Sequence, residues 1–117
     1  MNQRLRPAQR IRKKQEFQNL FKKGKFARGK LLNLWVARDA ARTAPAIGIT
    51  VSRKTDSRAT GRNLWKRRIR EAFRRTQNRL KENLSFLFQS RLQEKTPAYA
   101  EILEDMENLF KQTGSFK

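Results

Sequence analysis

The sequence predicts an α+β fold, a single-domain two-layer sandwich of one sheet with helices packed on it. Apolar residues alternate with polar or small residues in 32–37 and 46–52, a pattern typical of strands. In residues 59–81 and 98–112 the apolar residues instead recur at helical spacing. The length of 117 residues suits one domain, and the predicted element order is α-β-β-β-α-β-α.

The first predicted helix covers residues 13–23. Phe17, Leu20 and Phe21 share one face of this helix, which gives it an amphipathic pattern. Residues 1–12 precede it and alternate between basic and polar side chains. We expect this segment to be a mobile basic arm that orders when a partner binds.

A strand pattern begins at Phe26 and continues through residues 31–37. Because side chains of a strand alternate between its two faces, one face of this segment is purely apolar. The other face carries Trp35 between Asn33 and Ala37. We therefore predict that the Trp35 face is half open.

Two further strands are predicted at residues 46–52 and 84–89. A long basic helix lies between them and is expected to end near Lys81. Thr55 and Thr60 both have hydroxyl groups that can cap its first turn, and the sequence does not choose between them.

The long helix combines an apolar stripe with a cationic stripe. Trp65, Ile69 and Phe73 fall four residues apart on one face. A neighbouring face carries basic residues at the same spacing, namely Arg62, Lys66, Arg70 and Arg74. One stripe can be buried while the other faces a polyanion, so the helix is predicted to bind nucleic acid.

The overall charge supports a nucleic-acid partner. Lys and Arg number 29 against 10 Asp and Glu, which gives a net charge of +19. A small domain needs a net charge of only about 2–8 for solubility, so solubility alone does not account for this excess. Only three of the 29 bases, Lys95, Lys111 and Lys117, lie after residue 93. The C-terminal segment is therefore a poor candidate for the RNA-facing surface.

Several chemistries are disfavoured by composition. The chain has no cysteine and no histidine, which removes thiolate zinc sites, disulfides and the commonest general base. No apolar run approaches the ~20 residues of a membrane span, and the N-terminus lacks the apolar core of a secretory signal. A cytoplasmic location is the default expectation, although an amphipathic transit peptide is harder to exclude.

Acidic residues do not form an evident catalytic cluster. The five acids in residues 1–93 are widely spaced, and those of the last helix fit a solvated face. We interpret Glu71 as a partner of Arg67 or Arg75 within the helix. No catalytic residue and no protein metal site is predicted, and catalysis by the polypeptide alone is not expected.

Aromatic residues provide candidate stacking surfaces for unpaired bases. Phe17 and Phe21 on the first helix and Trp35 on the strand are the candidates. The competing interpretation is that they are core residues, and for a typical Phe this is the more common outcome.

Two segments resemble the protein subunit of bacterial ribonuclease P. Residues 47–54 read Ile-Gly-Ile-Thr-Val-Ser-Arg-Lys, and residues 62–74 read Arg-Asn-Leu-Trp-Lys-Arg-Arg-Ile-Arg-Glu-Ala-Phe-Arg. The Glu-Phe-x-x-x-Phe-x-x-Gly pattern of residues 16–24 is also similar to that family. Two departures stand out: Leu64 replaces the second Arg of the family's Arg-Asn-Arg signature, and the connection 55–61 lacks the usual Gly-Asn-Ala-Val.

The resemblance implies a fold like the second domain of ribosomal protein S5, with a left-handed βαβ crossover. It also implies that an RNA subunit is the catalyst and cleaves precursor tRNA at the mature 5′ end. Mg²⁺ is the implied cofactor, bound chiefly by that RNA. The implied partners are the catalytic RNA and precursor tRNA, with no membrane, and the oligomeric state is left open.

The same resemblance assigns two groups of binding residues. Those expected to bind the catalytic RNA are Arg62, Asn63, Lys66, Arg67, Arg70 and Arg74. Those expected to bind the single-stranded 5′ leader are Phe17, Phe21, Trp35 and Lys54. The alternative function is a ribosomal or RNA-chaperone protein without a substrate. A nuclease acting alone is disfavoured by the missing histidine and the scattered acids.

Overall fold

The computed structural model of the protein describes residues 5–117, so residues 1–4 of the predicted arm lie outside the described part. The helices and longer strands are α1 (Lys14–Lys23), β1 (Lys25–Arg28), β2 (Leu32–Arg38), β3 (Ala46–Thr50), α2 (Ala59–Thr76), β4 (Leu84–Ser90) and α3 (Tyr99–Gln112). Two short 3₁₀ helices, Pro7–Gln9 and Gln77–Arg79, precede α1 and follow α2. The predicted α+β class and the order α-β-β-β-α-β-α are confirmed.

The four strands form one sheet in the order β1-β2-β4-β3. β2 pairs antiparallel with both β1 and β4, whereas β3 pairs in parallel with β4. Parallel neighbours need a crossover connection, and α2 provides it as the helix of a βαβ unit. The left-handedness of this crossover stays a prediction from the family resemblance.

One face of the sheet carries the main core beneath α2 and α3. The predicted stripe of α2 is buried, with Trp65 1% exposed and Ile69 and Phe73 fully covered. Phe110 of α3 packs edge-on against Phe86, at 5.1 Å between ring centroids. The predicted inward residues of α3 are all fully buried: Ile102, Met106, Leu109 and Phe110.

The other face of the sheet is covered in part by α1. A row of residues in register crosses all four strands on this face, from Phe26 through Trp35 and Leu87 to Gly48. Gly48 lets α1 approach closely, because a Cβ atom there would lie 2.9 Å from Cε1 of Phe17. α1 therefore contacts the sheet closely at Gly48 of β3.

The ends of α2 differ from the prediction. The helix ends at Thr76 rather than near Lys81, and a 3₁₀ turn follows it. The hydroxyl of Thr76 donates to the carbonyl of Ala72 at 3.0 Å, and Leu80 is fully buried and forms a bridge with Phe116. Burial of Leu80 beside the C-terminal segment turns the chain away from the helix axis.

Neither predicted cap is used at the start of α2. The residue preceding the helix is Arg58, whose backbone N–H donates to Oδ1 of Asp56 at 2.9 Å. Thr60 lies inside the helix, and the hydroxyl of Thr55 instead bonds to Ser90 at 3.0 Å. The Asp56 carboxylate thus organises the entry to the helix.

Part of the predicted arm packs against the sheet. The N–H of Ile11 donates to the carbonyl of Ile47 at 2.8 Å, and Ile11 is buried. Gln9 is also buried, and its amide donates to the carbonyl of Pro45 and to Oε1 of Gln77, both at 2.9 Å. These contacts fix where residues 9–11 lie in the structure, while the mobility of the arm stays a prediction.

Candidate nucleic-acid interface

The polar and basic residues of helix α2 differ in their exposure to solvent. Asn63, Arg67 and Arg75 are exposed to solvent. The four residues of the predicted cationic stripe, Arg62, Lys66, Arg70 and Arg74, are all half-buried because they flank the buried stripe. The exposed residues Arg67 and Asn63 are therefore the most accessible of those predicted to bind the catalytic RNA.

Two members of the cationic stripe have partners within the protein. Nη1 of Arg62 donates to the carbonyls of Asp56 and Ser57, at 3.0 and 2.9 Å. Arg74 forms an ion pair with Glu71, with Nη2 at 2.6 Å from Oε1. Arg62 thus holds the loop before α2, and part of the Arg74 charge is neutralised.

Glu71 lies in an ion pair with neighbouring arginines, as the sequence predicted. Its partner Arg75 lies at 3.4 Å, whereas the closest partner is Arg74. Hydrogen bonding from Arg74 is the main cause that lowers the pKa of Glu71, with smaller contributions from the charges of Arg74 and Arg75. Glu71 is therefore ionised at neutral pH and screens this end of the helix.

The N-terminal arm adds cations to the same helix. Burial lowers the pKa of Arg70, and the charges of Arg10 and Arg12 lower it further. The Coulomb effect means that the two arm residues lie near Arg70. The sequence predicted an arm that orders on a partner, but it did not place Arg10 or Arg12 beside α2, since their position depends on the docking of the arm at Ile47.

The loop before α2 is held by Asp56. Hydrogen bonds from Arg58 lower the pKa of Asp56, and the same carboxylate forms an ion pair with Arg58 at 3.2 Å. The carboxylate sits against the Cα atom of Gly61, where any Cβ atom would collide with it. This arrangement fixes the connection 55–61, whose sequence departs from the family pattern.

The predicted aromatic residues come together on the α1 face of the sheet. The rings of Phe21 and Trp35 meet edge-on at 4.7 Å, and Phe26 lies at 4.9 Å from Trp35. Phe21 is 40% exposed and Phe26 is 50% exposed. We call Phe21, Phe26 and Trp35 the aromatic cluster. The prediction that the Trp35 face is half open is confirmed.

Phe26 is a candidate that sequence reasoning missed. It lies in β1, and only the pairing of β1 with β2 places it opposite Trp35. Phe17 is half-buried and packs on Gly48, and Lys54 is exposed in the turn after β3. The structure brings Phe17 and Trp35 to one small core, and it gives no contact between Lys54 and the aromatic residues.

Two classes of feature are not found in the described part of the chain. Within residues 5–117, no three His, Cys, Asp or Glu side chains are grouped in a way that could hold a metal ion. Over the same residues, no helix has both the length and the apolar character needed to cross a bilayer.

A basic helix and an exposed aromatic cluster on one α+β domain define an RNA-binding protein. The sequence model of the family described as Ribonuclease P matches residues 5–114. The chain therefore belongs to the ribonuclease P protein family. It is the non-catalytic protein subunit of an endoribonuclease that processes tRNA.

Relatives and solved structures agree with this family. The ribonuclease P protein component of Pseudanabaena sp. is 33% identical over 100 residues, covering 86% of each chain. That of Clostridium kluyveri is 34% identical over 110 residues, covering 92% of this chain and 96% of the relative. The RNase P protein of Staphylococcus aureus superposes with a TM-score of 0.84 at 26% identity, covering 93% of this chain and 98% of that one. The RNase P protein of Thermotoga maritima superposes with a TM-score of 0.76 at 27% identity, covering 88% of this chain and 96% of that one.

Proposed function

We propose that the protein binds the catalytic RNA through α2 and holds the 5′ leader of precursor tRNA on the aromatic cluster. The observation that supports the leader site is the exposure of Phe21 and Phe26 beside Trp35. Phe side chains are commonly buried, and stacking on unpaired bases is a function that exposed rings serve well. Family membership favours this function over a ribosomal or chaperone role without a substrate.

The contact with the catalytic RNA is proposed for the predicted residues of α2. Arg67 and Asn63 are exposed and can reach phosphate and sugar oxygens directly. Lys66 and Arg70 are half-buried, and the charges of Arg10 and Arg12 act on Arg70, so together they increase the positive potential there. Arg62 and Arg74 would contribute while keeping their protein partners Asp56 and Glu71.

Mg²⁺ is proposed as the cofactor of the complete enzyme, held chiefly by the RNA subunit. Cations on the protein reduce repulsion between RNA phosphates, so the complex is expected to need less magnesium than the RNA alone. The cytoplasm is the proposed location, since precursor tRNA is the proposed substrate.

The function is tested by cleavage of precursor tRNA with the cognate RNA at low magnesium, with and without the protein. We expect the protein to stimulate cleavage and to strengthen precursor binding. Equal cleavage with and without the protein would favour an RNA-binding role without a substrate.

The leader site is tested with Phe21→Ala and Lys54→Ala. Lys54 is exposed, so Lys54→Ala should not disturb folding. Phe21 is 40% exposed and its ring contacts Trp35, so Phe21→Ala should lose that contact, and its folding is checked by urea denaturation. Each variant should weaken precursor binding by the complex severalfold, while binding of mature tRNA should change little. Leu92→Ala, at an apolar side chain that is 74% exposed and lies outside the aromatic cluster, serves as the control. Equal losses on precursor and mature tRNA would remove the leader assignment.

A further inference from the structure

A second concave site lies on the α1 face of the sheet, apart from the aromatic cluster. Its volume is about 500 Å³, within the usual range of small-ligand sites. On α1 it is lined by residues 16, 19, 20 and 23, and neither Phe17 nor Phe21 contributes to its wall. We call it the Ala37 hollow, after the β2 residue in its floor.

The hollow follows from the register of small side chains in the sheet. Ala37 of β2 lies opposite Ser85 of β4, which in turn lies opposite Ala46 of β3. The two small residues Ala37 and Ser85 leave space between the sheet and α1, whereas Ala46 is covered by the small core. Ile11 and Leu20 close the bottom of that space, being 5% and 4% exposed. The hollow thus has an apolar floor that suits a flat ligand.

Arg42 lines the hollow and is held there by hydrogen bonds and ion pairs. Nε donates to the hydroxyl of Ser85 at 2.9 Å, and Nη1 donates to the carbonyl of Ala8 at 3.1 Å. Arg42 also forms two ion pairs, with Glu16 at 3.8 Å from Nη2 and Asp39 at 3.5 Å from Nε. Nη2 has the Glu16 carboxylate as its ion-pair partner, and the distance of 3.8 Å is too long for a hydrogen bond. An incoming phosphate would therefore compete with Glu16 for Nη2.

The rim of the hollow carries further cations. Lys23, Lys25 and Arg38 line it, all three are exposed, and no ion pair is formed by them within the described chain. Together with Arg42 they place four cations against the two acids Glu16 and Asp39. The hollow therefore combines an apolar floor with a positive rim, a combination that suits an aromatic body carrying a phosphate.

We propose that the Ala37 hollow binds a nucleotide. The base lies over Ile11 and Leu20, and the phosphate is bound by Arg42 with Lys25 and Arg38. The amide of Asn19 on the α1 wall is placed to hydrogen-bond the edge of the base. The nucleotide can be a free 5′-monophosphate or one residue of an RNA strand, because both offer the same base and phosphate.

The proposal is tested by titrating the RNA-free protein with adenosine 5′-monophosphate and following backbone amide signals by NMR. We expect shifts at Ala37 and Ser85. Ala37→Leu fills the hollow without altering its charge, and the dissociation constant should rise at least about tenfold. Arg38→Ala, at an exposed position, should weaken binding about threefold or more through the lost charge. Ala40→Leu, also exposed but outside the hollow, should bind as the wild type does.

Further results decide whether the hollow binds a nucleotide and whether that nucleotide is free or part of an RNA strand. If only a short single-stranded oligoribonucleotide shifts Ala37 and Ser85, and Ala37→Leu abolishes those shifts, the nucleotide comes from an RNA strand. If inorganic phosphate binds as tightly as the nucleotide, the base contributes nothing and the assignment is overturned. Shifts confined to Trp35 and its neighbours, or equal binding by Ala37→Leu, would also overturn it.

Discussion

At the scale of single residues, one buried carboxylate fixes the backbone of a neighbouring turn through hydrogen bonds. Asp105 of α3 is buried, and its carboxylate accepts three backbone N–H groups from the turn between β1 and β2. Oδ1 accepts from Lys30 at 2.9 Å, and Oδ2 accepts from Leu31 and Leu32, both at 3.0 Å. The sequence suggested only a solvated acidic face for this helix, so the role of Asp105 was not predicted.

Asp105→Ala should destabilise the protein strongly. Three backbone donors lose their acceptor at once, and each buried donor left unpaired costs about 1–3 kcal/mol. We expect the free energy of unfolding to fall by about 3 kcal/mol in urea denaturation. Glu104→Ala, at the exposed neighbouring position, should change it by less than about 0.5 kcal/mol. Similar midpoints for the two variants would contradict this role of Asp105.

Glu71 gives a small pH-dependent contribution to stability. Its pKa in the folded protein is lowered from 4.5, mainly by the hydrogen bond from Arg74. A lowered folded pKa means that the contribution is present above the unfolded pKa and is lost as pH falls through the folded value. Because the pair is partly exposed to solvent, the contribution should stay below about 1 kcal/mol.

Glu71→Gln should therefore be slightly less stable than the wild type at pH 7. The difference should shrink as the pH is lowered below 4.5. Urea denaturation across this range measures it. Glu94→Gln, which removes an exposed carboxylate with no described ion pair, should show no such trend. A difference for Glu71→Gln that grows on acidification would refute this assignment.

At the scale of elements, α2 divides its arginines between structural and RNA-facing roles. Arg62 donates to two loop carbonyls, and Arg68 donates to the carbonyl of Pro97, whereas Arg67 is exposed and has no described hydrogen bond. The helical repeat places every fourth residue on a face, but it does not say which charges find partners in the same chain.

Arg67→Ala should lower the affinity for the catalytic RNA and reduce the slope of log affinity against log salt by about 0.9, the value of one phosphate contact on a duplex. The free energy of unfolding should not change. Binding measured at several salt concentrations provides both quantities. An unchanged salt slope would argue against a phosphate contact by Arg67.

Arg62→Ala is the informative comparison within the same helix. It removes the hydrogen bonds to Asp56 and Ser57, so it should destabilise the loop before α2 as well as weaken RNA binding. If Arg62→Ala lowers the free energy of unfolding and Arg67→Ala does not, Arg62 has a structural role that Arg67 lacks.

At the scale of the whole molecule, the charge of +19 opposes the compact state. The main core and the sheet must offset this repulsion when no polyanion is bound. Salt screens exposed charges over a Debye length of about 10 Å at 0.1 M. Stability should therefore depend on ionic strength more than it does in a neutral domain.

The urea midpoint of the RNA-free protein should rise when NaCl is increased from about 0.05 to 0.5 M. The expected cause is weaker repulsion among Lys and Arg side chains. An equal osmolarity of sucrose controls for general solute effects. A midpoint that falls with NaCl would mean that the ion pairs, such as Arg79 with Glu107, outweigh the repulsion.

Local pattern was enough to predict much of this protein. The spacing of Trp65, Ile69 and Phe73 predicted which face of α2 is buried, and the alternation around Trp35 predicted a half-open face. These features depend on the geometry of one element, which sequence periodicity encodes directly. The excess of Lys and Arg likewise indicated a nucleic-acid partner before any fold was known.

The remaining features were decided by tertiary structure. Phe26 joins Trp35 only through strand pairing, and the Ala37 hollow depends on the register that places Ala37 beside Ser85. The end of α2 at Thr76 depends on the burial of Leu80 beside Phe116. Each of these rests on contacts between distant parts of the chain, and periodicity within one element carries no information about them.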